Sequence, residues 1–261
     1  MAVVDVNGMK TVVPPRILWR CGRPGGILYF SAITPAVDVL DDAGNRFDVL
    51  GAGVMYAATT RCGAYMESLQ TFRPSNAARA AASAAQTGLM IVGGVPADWR
   101  TTHAMGEFTL DHPLPFLDLE HPTTRRALEH ELAGDLAALG VKNLDIPDVR
   151  SEHRRVTRTI ATWAYLAHGA ASGDLAYSGI RYVSKLDDQE CWAIFDQVVP
   201  LLIRERPSQT IQISRLRATT WTSPPTGADS SASMAGPGHA LLSETRSPDD
   251  APPDAVSWAT L

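Results

Sequence analysis

Cysteine is scarce in this sequence of 261 residues, and its three copies, Cys21, Cys62 and Cys191, lie far apart without a CxxC pair. Such spacing supplies neither a disulfide framework nor a cysteine zinc site, and it favours a reducing, cytoplasmic setting. The seven histidines include no HExxH motif, so the sequence predicts no metal site. Disulfide-stapled and zinc-dependent classes of protein are therefore not expected.

Long hydrophobic runs are also missing. The longest, residues 88–95, is far shorter than the ~20 apolar residues of a membrane-spanning helix. The amino-terminal residues contain no apolar signal-peptide core. We therefore expect neither membrane insertion nor export.

Lysine is rare as well: the 23 basic residues are 20 arginines and three lysines. The net charge of -5 and the lack of a basic run disfavour direct binding to nucleic acid. Guanidinium groups bind phosphate in a bidentate fork, which an ammonium group cannot do. Any phosphate-bearing ligand is therefore expected to meet arginine in this chain.

The common nucleotide and hydrolase fingerprints are absent. The sequence contains neither GxxxxGK[ST] nor GxSxG, which sets aside phosphate-loop and α/β-hydrolase chemistry. Its one GxG, residues 51–53, precedes a strand pattern and lacks the third glycine of a dinucleotide fingerprint. That glycine pair predicts a turn.

The length and the 45% hydrophobic content can form one folded domain. We expect an amino-terminal extension at 1–15, a folded domain at 16–220 and a disordered tail at 221–261. The tail is rich in proline, serine and aspartate, and it offers too little apolar surface to offset the entropy of ordering. The alanine-rich segment 77–85 is predicted to be a surface helix or an insertion, and the sequence indicates no function for it.

Hydrophobic periodicity predicts a mixed set of strands and helices. Residues 16–33 alternate around Pro24 and predict two short strands and a turn. Further strands are predicted at 53–58, 179–185, 191–199 and 209–216, and two short ones within 107–120 are separated by Pro113 and Pro115. Helices are predicted from Arg61 with Thr60 as cap, from Thr123 or Thr124 to Gly140, and after a Ser151 cap.

Five residues are candidates for a site, and each also has an ordinary structural interpretation. Arg20 lies on a predicted strand, where an inward arginine is costly without an anion, although a surface arginine fits equally. Arg46 precedes the next strand, and an arginine there is by itself more often a salt-bridge partner than a ligand. Tyr56 suits the core, Glu67 lies at the edge of an apolar helix face or in solvent, and Ser184 suits a turn.

The ordered motifs LWRCGR, NRFD, VMYAATTRCGAYMES and GIRYVSKLDDQECWAIFD resemble the RES domain family, named for its Arg, Glu and Ser. The resemblance implies an α+β fold similar to the ADP-ribosyltransferases, with two packed, mainly antiparallel sheets and flanking helices around an NAD cleft. NRFD departs from the GGRW stretch that toxins of the family often carry.

The resemblance also implies an activity and partners. Family members consume NAD by hydrolysis or phosphorolysis as toxins of toxin-antitoxin pairs, and others modify proteins as mono-ADP-ribosyltransferases. NAD would be the substrate, with no true cofactor, and the partner would be an antitoxin with a DNA-binding region. A non-catalytic nucleotide-binding protein is the remaining alternative, and an oligomer is compatible with each.

The family motifs carry over to the five candidates residue by residue. Glu67 would be the catalytic carboxylate, with Arg20 and Ser184 also catalytic. Arg46 would bind phosphate and Tyr56 would stack on nicotinamide. These roles are expectations from the resemblance, and they require all five side chains to converge on one cleft.

Overall fold

The computed structural model describes residues 4–85, 94–169, 173–198 and 203–205, all within one compact unit. The predicted strand at 209–216 and the predicted tail at 221–261 lie outside these residues. The described strands form one hydrogen-bonded sheet in the order β1-β2-β6-β7-β8-β4-β3-β5-β9. They are β1 (Val4–Val6), β2 (Met9–Val12), β3 (Leu18–Gly22), β4 (Val54–Ala58), β5 (Ala104–Leu110), β6 (Phe116–Asp118), β7 (Gly179–Val183), β8 (Glu190–Phe195) and β9 (Ile203–Glu205).

The sheet has a narrow junction in its middle. β3 meets β4 at one residue pair, Trp19 with Ala58, whereas β3 meets β5 at five pairs and β4 meets β8 at five. This single pairing makes the sheet continuous, so the expected pair of separate packed sheets is not confirmed. The mixed α+β class is confirmed, and the β6–β7 pairing is parallel among otherwise antiparallel described pairs.

Of the two short strands predicted within residues 16–33, the first forms and the second does not. β3 pairs with β4 at one position and with β5 at five, and in the second pairing Trp19 lies opposite Glu107, 88 residues further along the chain. Within the part of the chain that the structure describes, residues 25–33 make two isolated bridges, Ser31 with Val54 and Ile33 with Leu50. The proline-glycine turn therefore leads into an irregular segment along β4. Residues 4–12, expected as an extension, instead add β1 and β2 to the sheet.

Helices flank the sheet, and their ends differ from the sequence signals in two places. Thr60 is confirmed as the cap of the second helix, because its hydroxyl accepts from the Gly63 amide. The predicted caps, Thr123 or Thr124 for one helix and Ser151 for the other, are wrong, since the N-cap residues are His121 and His153. The helices are α1 (Pro35–Asp38), α2 (Arg61–Leu69), α3 (Asn76–Ala85), α4 (Ala97–Thr102), α5 (Pro122–Glu131), α6 (Ala133–Ala138), α7 (Ile146–Arg150) and α8 (Arg154–Leu166).

The long helix predicted before Gly140 is divided in two at Leu132. Leu132 lies outside helical geometry, with φ -107 and ψ 19, and Gly134 follows within the first turn of α6. Glycine weakens a helix by about 1 kcal/mol relative to alanine, which favours a break there. The apolar pattern is kept across the break, because Leu128, Leu132 and Leu136 are all buried.

Alternation along the strands divides the core between the two sheet faces. In β4, Val54 and Ala58 belong to the larger buried cluster, whereas Met55 and Ala57 belong to the smaller one. Neighbouring strand residues point to opposite faces, so both faces of β4 are covered. Within the described residues, no helix has the length and apolar character needed to cross a bilayer.

One buried arginine fastens an irregular segment to α8. Arg158 is 2% exposed, and its guanidinium donates to the carbonyls of Val37, Leu40 and Ala43. The Val37 carbonyl lies in the last turn of α1, and those of Leu40 and Ala43 lie between α1 and the loop at 44–48. A planar group with five N–H donors can satisfy several carbonyls at once, which explains an arginine at this position.

Replacing Arg158 with methionine is expected to lower the free energy of unfolding by about 3 kcal/mol, because the carbonyls lose their donors. Urea denaturation measures the change. Arg155 is exposed on the same helix, so Arg155→Met is the matched control, with an expected change within about 0.5 kcal/mol. Equal stability of the two variants would contradict the role given to Arg158.

Candidate active site

A cavity of about 380 Å³ lies between β3, β4, α2 and the loop before β4. Four of the five predicted site residues line it, namely Arg20, Arg46, Tyr56 and Glu67. Its volume falls in the range of about 300–1,000 Å³ that small-molecule sites occupy. Three segments separated in sequence thus bring a carboxylate, a phenol and two guanidinium groups to one space.

Ser184, the fifth predicted residue, lies behind Glu67. It is fully buried, and its hydroxyl donates to Glu67 Oε1. The same hydroxyl oxygen accepts from the Leu186 amide at 3.0 Å, which fixes the direction of its proton toward Glu67. Ser184 therefore orients the carboxylate from outside the cavity, and a direct contact with ligand remains only a prediction.

Glu67 is half-buried on α2, between the buried Ala64 and Met66 on one side and the cavity on the other. Thr60 starts this helix and β4 leads directly into it, so the backbone fixes where the carboxylate points. Among the residues that the structure describes, Ser184 is its hydrogen-bond donor. Oε2 therefore remains available to a ligand in the cavity.

Arg46 is 9% exposed and is held by its backbone and its ring contacts. Its carbonyl accepts from the Thr157 hydroxyl on α8, and its guanidinium carbon lies 5.2 Å from the Tyr182 ring centroid. Nη1 donates to the Val183 carbonyl at 3.4 Å. Stacking on an aromatic face stabilises the cation and leaves the edge N–H groups for a ligand.

Arg20 is half-buried on β3, and its Nη1 donates to the Tyr29 carbonyl at 2.6 Å. Burial lowers its pKa from the usual arginine value. Within the part of the chain that the structure describes, neither Arg20 nor Arg46 has an ion-pair partner within 4.0 Å. A buried cation without a partner is costly, so both guanidinium groups favour an anionic ligand.

Tyr56 holds the loop that carries Arg46. Its hydroxyl donates to Asp48 Oδ1 at 2.9 Å and accepts from the Phe47 amide at 3.0 Å. Asp48 is buried and also accepts from the Asn45 amide at 2.7 Å. Burial, with the Asp48 charge, raises the pKa of Tyr56 well above its usual value. The phenol is therefore neutral and supports the loop through its hydrogen bonds to Asp48 and Phe47. Its stacking on nicotinamide stays a prediction.

Sequence reasoning missed several residues around the cavity. Tyr182 is buried, and its pKa is raised by burial and then by Glu67, while Arg46 opposes the shift. Lys185 pairs with Glu152 at 2.8 Å, and both line the cavity. Trp19 also lines it, and Arg61 lies 4.2 Å above the Trp19 ring. Each of these residues lies within two positions of a predicted site residue or of the start of a helix. That proximity in sequence is the signal that could have identified them.

Cys21 lines the cavity as well, and its thiol is a potential nucleophile. Burial raises its pKa to about 11, so the thiol stays protonated at neutral pH. Because the thiolate is the reactive form, Cys21 is poorly suited to covalent catalysis. Among the described residues, no group of three or more His, Cys, Asp or Glu side chains is placed to hold a metal ion.

Fold and site together define a mixed α+β protein whose cavity combines an oriented carboxylate with two arginines suited to an anion. The chain belongs to the RES domain family, whose profile matches residues 17–216, and the resemblance drawn from its motifs is confirmed. Comparison with curated protein sequences gives no match.

Among solved structures, the chain is similar to the crystal structure of the M. tuberculosis MbcT-MbcA toxin-antitoxin complex. The TM-score is 0.41 at 15% sequence identity, and the match covers 75% of this chain and 84% of that chain.

Proposed function

We propose that this protein binds NAD in the cavity and cleaves its nicotinamide-ribose bond, by hydrolysis or phosphorolysis. The observation that carries the proposal is the convergence of Glu67, Arg20 and Arg46 on one cavity, with the carboxylate oriented by Ser184. NAD combines a bond whose cleavage develops positive charge with a pyrophosphate that carries negative charge. The two kinds of group in the cavity match these two parts.

Glu67 stabilises the positive charge that develops on the ribose. The C1′–N bond breaks, its electron pair passes to the pyridinium nitrogen, and nicotinamide leaves as a neutral molecule. Water or phosphate then forms the C1′–O bond, and in hydrolysis the water proton is released. A fixed carboxylate beside an oxocarbenium-like centre stabilises this transition state, as in glycoside cleavage.

Arg20 and Arg46 bind the pyrophosphate. Arg46 is buried and Arg20 is half-buried, and charge-assisted N–H···O bonds are about twice as strong as neutral ones. Tyr56 and the Tyr182 ring keep Arg46 in place from two sides. Binding the phosphates positions the nicotinamide ribose, so the arginines contribute by orientation as well as by affinity.

We further propose that the protein acts in the cytoplasm as a toxin or stress effector with a partner antitoxin. The support is membership of the RES domain family and the expectation that the family carries. Expression in bacteria tests it: cellular NAD should fall and growth should stop. Co-expression of a neighbouring gene with a DNA-binding region should restore both.

The reaction itself is tested with purified protein and NAD labelled in the adenine half. We expect the label in free ADP-ribose when water is the acceptor, or in ADP-ribose 1″-phosphate when phosphate is added. Label that becomes attached to protein would identify a mono-ADP-ribosyltransferase instead. Unchanged NAD with measurable NAD binding would identify a non-catalytic nucleotide-binding protein and contradict the proposal.

A further inference from the structure

The turn that carries Ser184 has an unusual backbone. It joins β7 to β8, and within it Asp187 and Asp188 have positive φ angles of 55° and 47°. The left-handed region is uncommon for residues other than glycine, and it persists where surrounding contacts hold it. Ser184 keeps its hydroxyl on Glu67 only while this turn keeps its shape.

Glu120 holds the first arm of the turn. It follows β6, and its Oε1 accepts from the Val183 amide at 3.0 Å. Val183 immediately precedes Ser184, so this bond fixes the peptide from which the serine side chain projects. The Glu120 side chain is only 10% exposed, which makes an unpaired carboxylate costly there.

Arg150, the last residue of α7, connects Glu120 to the second arm. Its Nη2 donates to Glu120 Oε2 at 2.9 Å and its Nε donates to Oε1 at 3.3 Å. Its Nη1 donates to Asp188 Oδ1 at 2.8 Å. The hydrogen bond with Glu120 raises the pKa of Arg150 above its usual value. One guanidinium therefore joins both ends of the serine turn.

We propose that Arg150 and Glu120 are positioning residues for Glu67, acting through the Ser184 turn. Neither lines the cavity, so neither touches the substrate. The chain of contacts runs from Arg150 to Glu120, to the Val183 amide, to Ser184 and to the Glu67 carboxylate. The catalytic consequence rests on the proposed function, whereas the effect on the turn is independent of it.

Arg150→Met is expected to lower kcat for NAD cleavage by about tenfold to a hundredfold, since a small displacement of a catalytic group has this effect. KM should change little, because the arginines that bind phosphate are untouched. Arg150→Lys keeps the charge but loses the bidentate fork, so its kcat should lie between those of the wild type and Arg150→Met. Unchanged kcat in Arg150→Met would overturn the proposal.

The matched control is Arg181→Met. Arg181 lies on β7, and it pairs with Asp118 at 3.1 Å and with Glu190 at 3.0 Å. Its loss removes two partly buried ion pairs on the same strand but leaves in place the hydrogen bonds from Arg150 to Glu120 and from the Val183 amide to Glu120. It should lower stability while leaving kcat unchanged. Equal losses of kcat in Arg181→Met and Arg150→Met would show a general structural effect and overturn the proposal.

A second arm of the experiment combines Arg150→Met with Ser184→Ala. If Arg150 acts through the serine, its loss has little further effect on kcat once the hydroxyl is gone. Residues that act independently would instead give multiplied losses. Multiplied losses would therefore overturn the proposed route from Arg150 to Glu67.

Hydrogen exchange separates this proposal from the proposed function. The Leu186 amide donates to the Ser184 hydroxyl oxygen, so it should exchange faster in Arg150→Met than in wild type or Arg181→Met. Protection of Leu186 that is unchanged in Arg150→Met would overturn the positioning role. If the wild-type protein leaves NAD intact, the proposed function is contradicted. Faster exchange of the Leu186 amide in Arg150→Met would still show that Arg150 and Glu120 hold the Ser184 turn.

Discussion

Glu67→Gln is expected to lower the rate of NAD cleavage by about a hundredfold to a thousandfold, in the range found when one electrostatic stabiliser is removed from an active site. Glutamine has the shape of glutamate, and its amide oxygen can accept from Ser184 as the carboxylate does. What is lost is the negative charge beside the ribose. The change therefore acts on the transition state and leaves the fold in place.

The measurement is the initial rate of nicotinamide release, with NAD affinity determined separately by calorimetry. We expect kcat to fall while NAD still binds, which is the pattern of an interaction made in the transition state. Glu131→Gln provides the control, since Glu131 is exposed at the end of α5. A Glu67→Gln protein that turns over NAD at the wild-type rate would contradict the role of Glu67.

The local part of the site could be predicted from the sequence. Tyr56 and Glu67 lie on one strand-to-helix unit, and Thr60 signals where the helix begins. Helical spacing places Glu67 next to the buried Ala64 and Met66, which are both apolar. Local propensity and capping determine these positions, so a single sequence was sufficient to predict them.

The non-local part could not be predicted in the same way. β3 pairs with β5 across the sheet, and a single pair joins Trp19 to Ala58. Such pairings depend on the packing of the whole domain, and the alternation that marks a strand does not identify its partner. The second short strand expected within residues 16–33 does not form, and the expected pair of packed sheets is not confirmed, because both depend on which segments pair.

The role of Ser184 also lay beyond sequence reasoning. A serine at the end of a strand predicts a turn, and the resemblance predicts a ligand contact. The structure places its hydroxyl on Glu67 and behind the cavity. Only the meeting of α2 with the β7–β8 turn creates that contact, and the two are separated by 117 residues.

Arg46→Met is expected to weaken NAD binding by about a hundredfold, and Arg46→Lys by about tenfold, because hydrogen bonds to charged groups contribute about 1.5–3 kcal/mol. Lysine keeps the charge but loses the fork and the stacking of guanidinium on Tyr182. Arg126 is exposed on α5, so Arg126→Lys should bind NAD as the wild type does.

The binding measurement is best made in the Glu67→Gln protein, where NAD remains intact during calorimetry. Nicotinamide riboside, which has no phosphate, adds a decisive comparison. Its affinity should not respond to Arg46→Lys if Arg46 contacts the pyrophosphate. Equal weakening for NAD and nicotinamide riboside would place Arg46 at the nicotinamide end or reveal a displaced loop, since Asp48 and Tyr56 hold that loop. Weakening confined to NAD would place the phosphates next to the Arg46 guanidinium, which stacks on Tyr182.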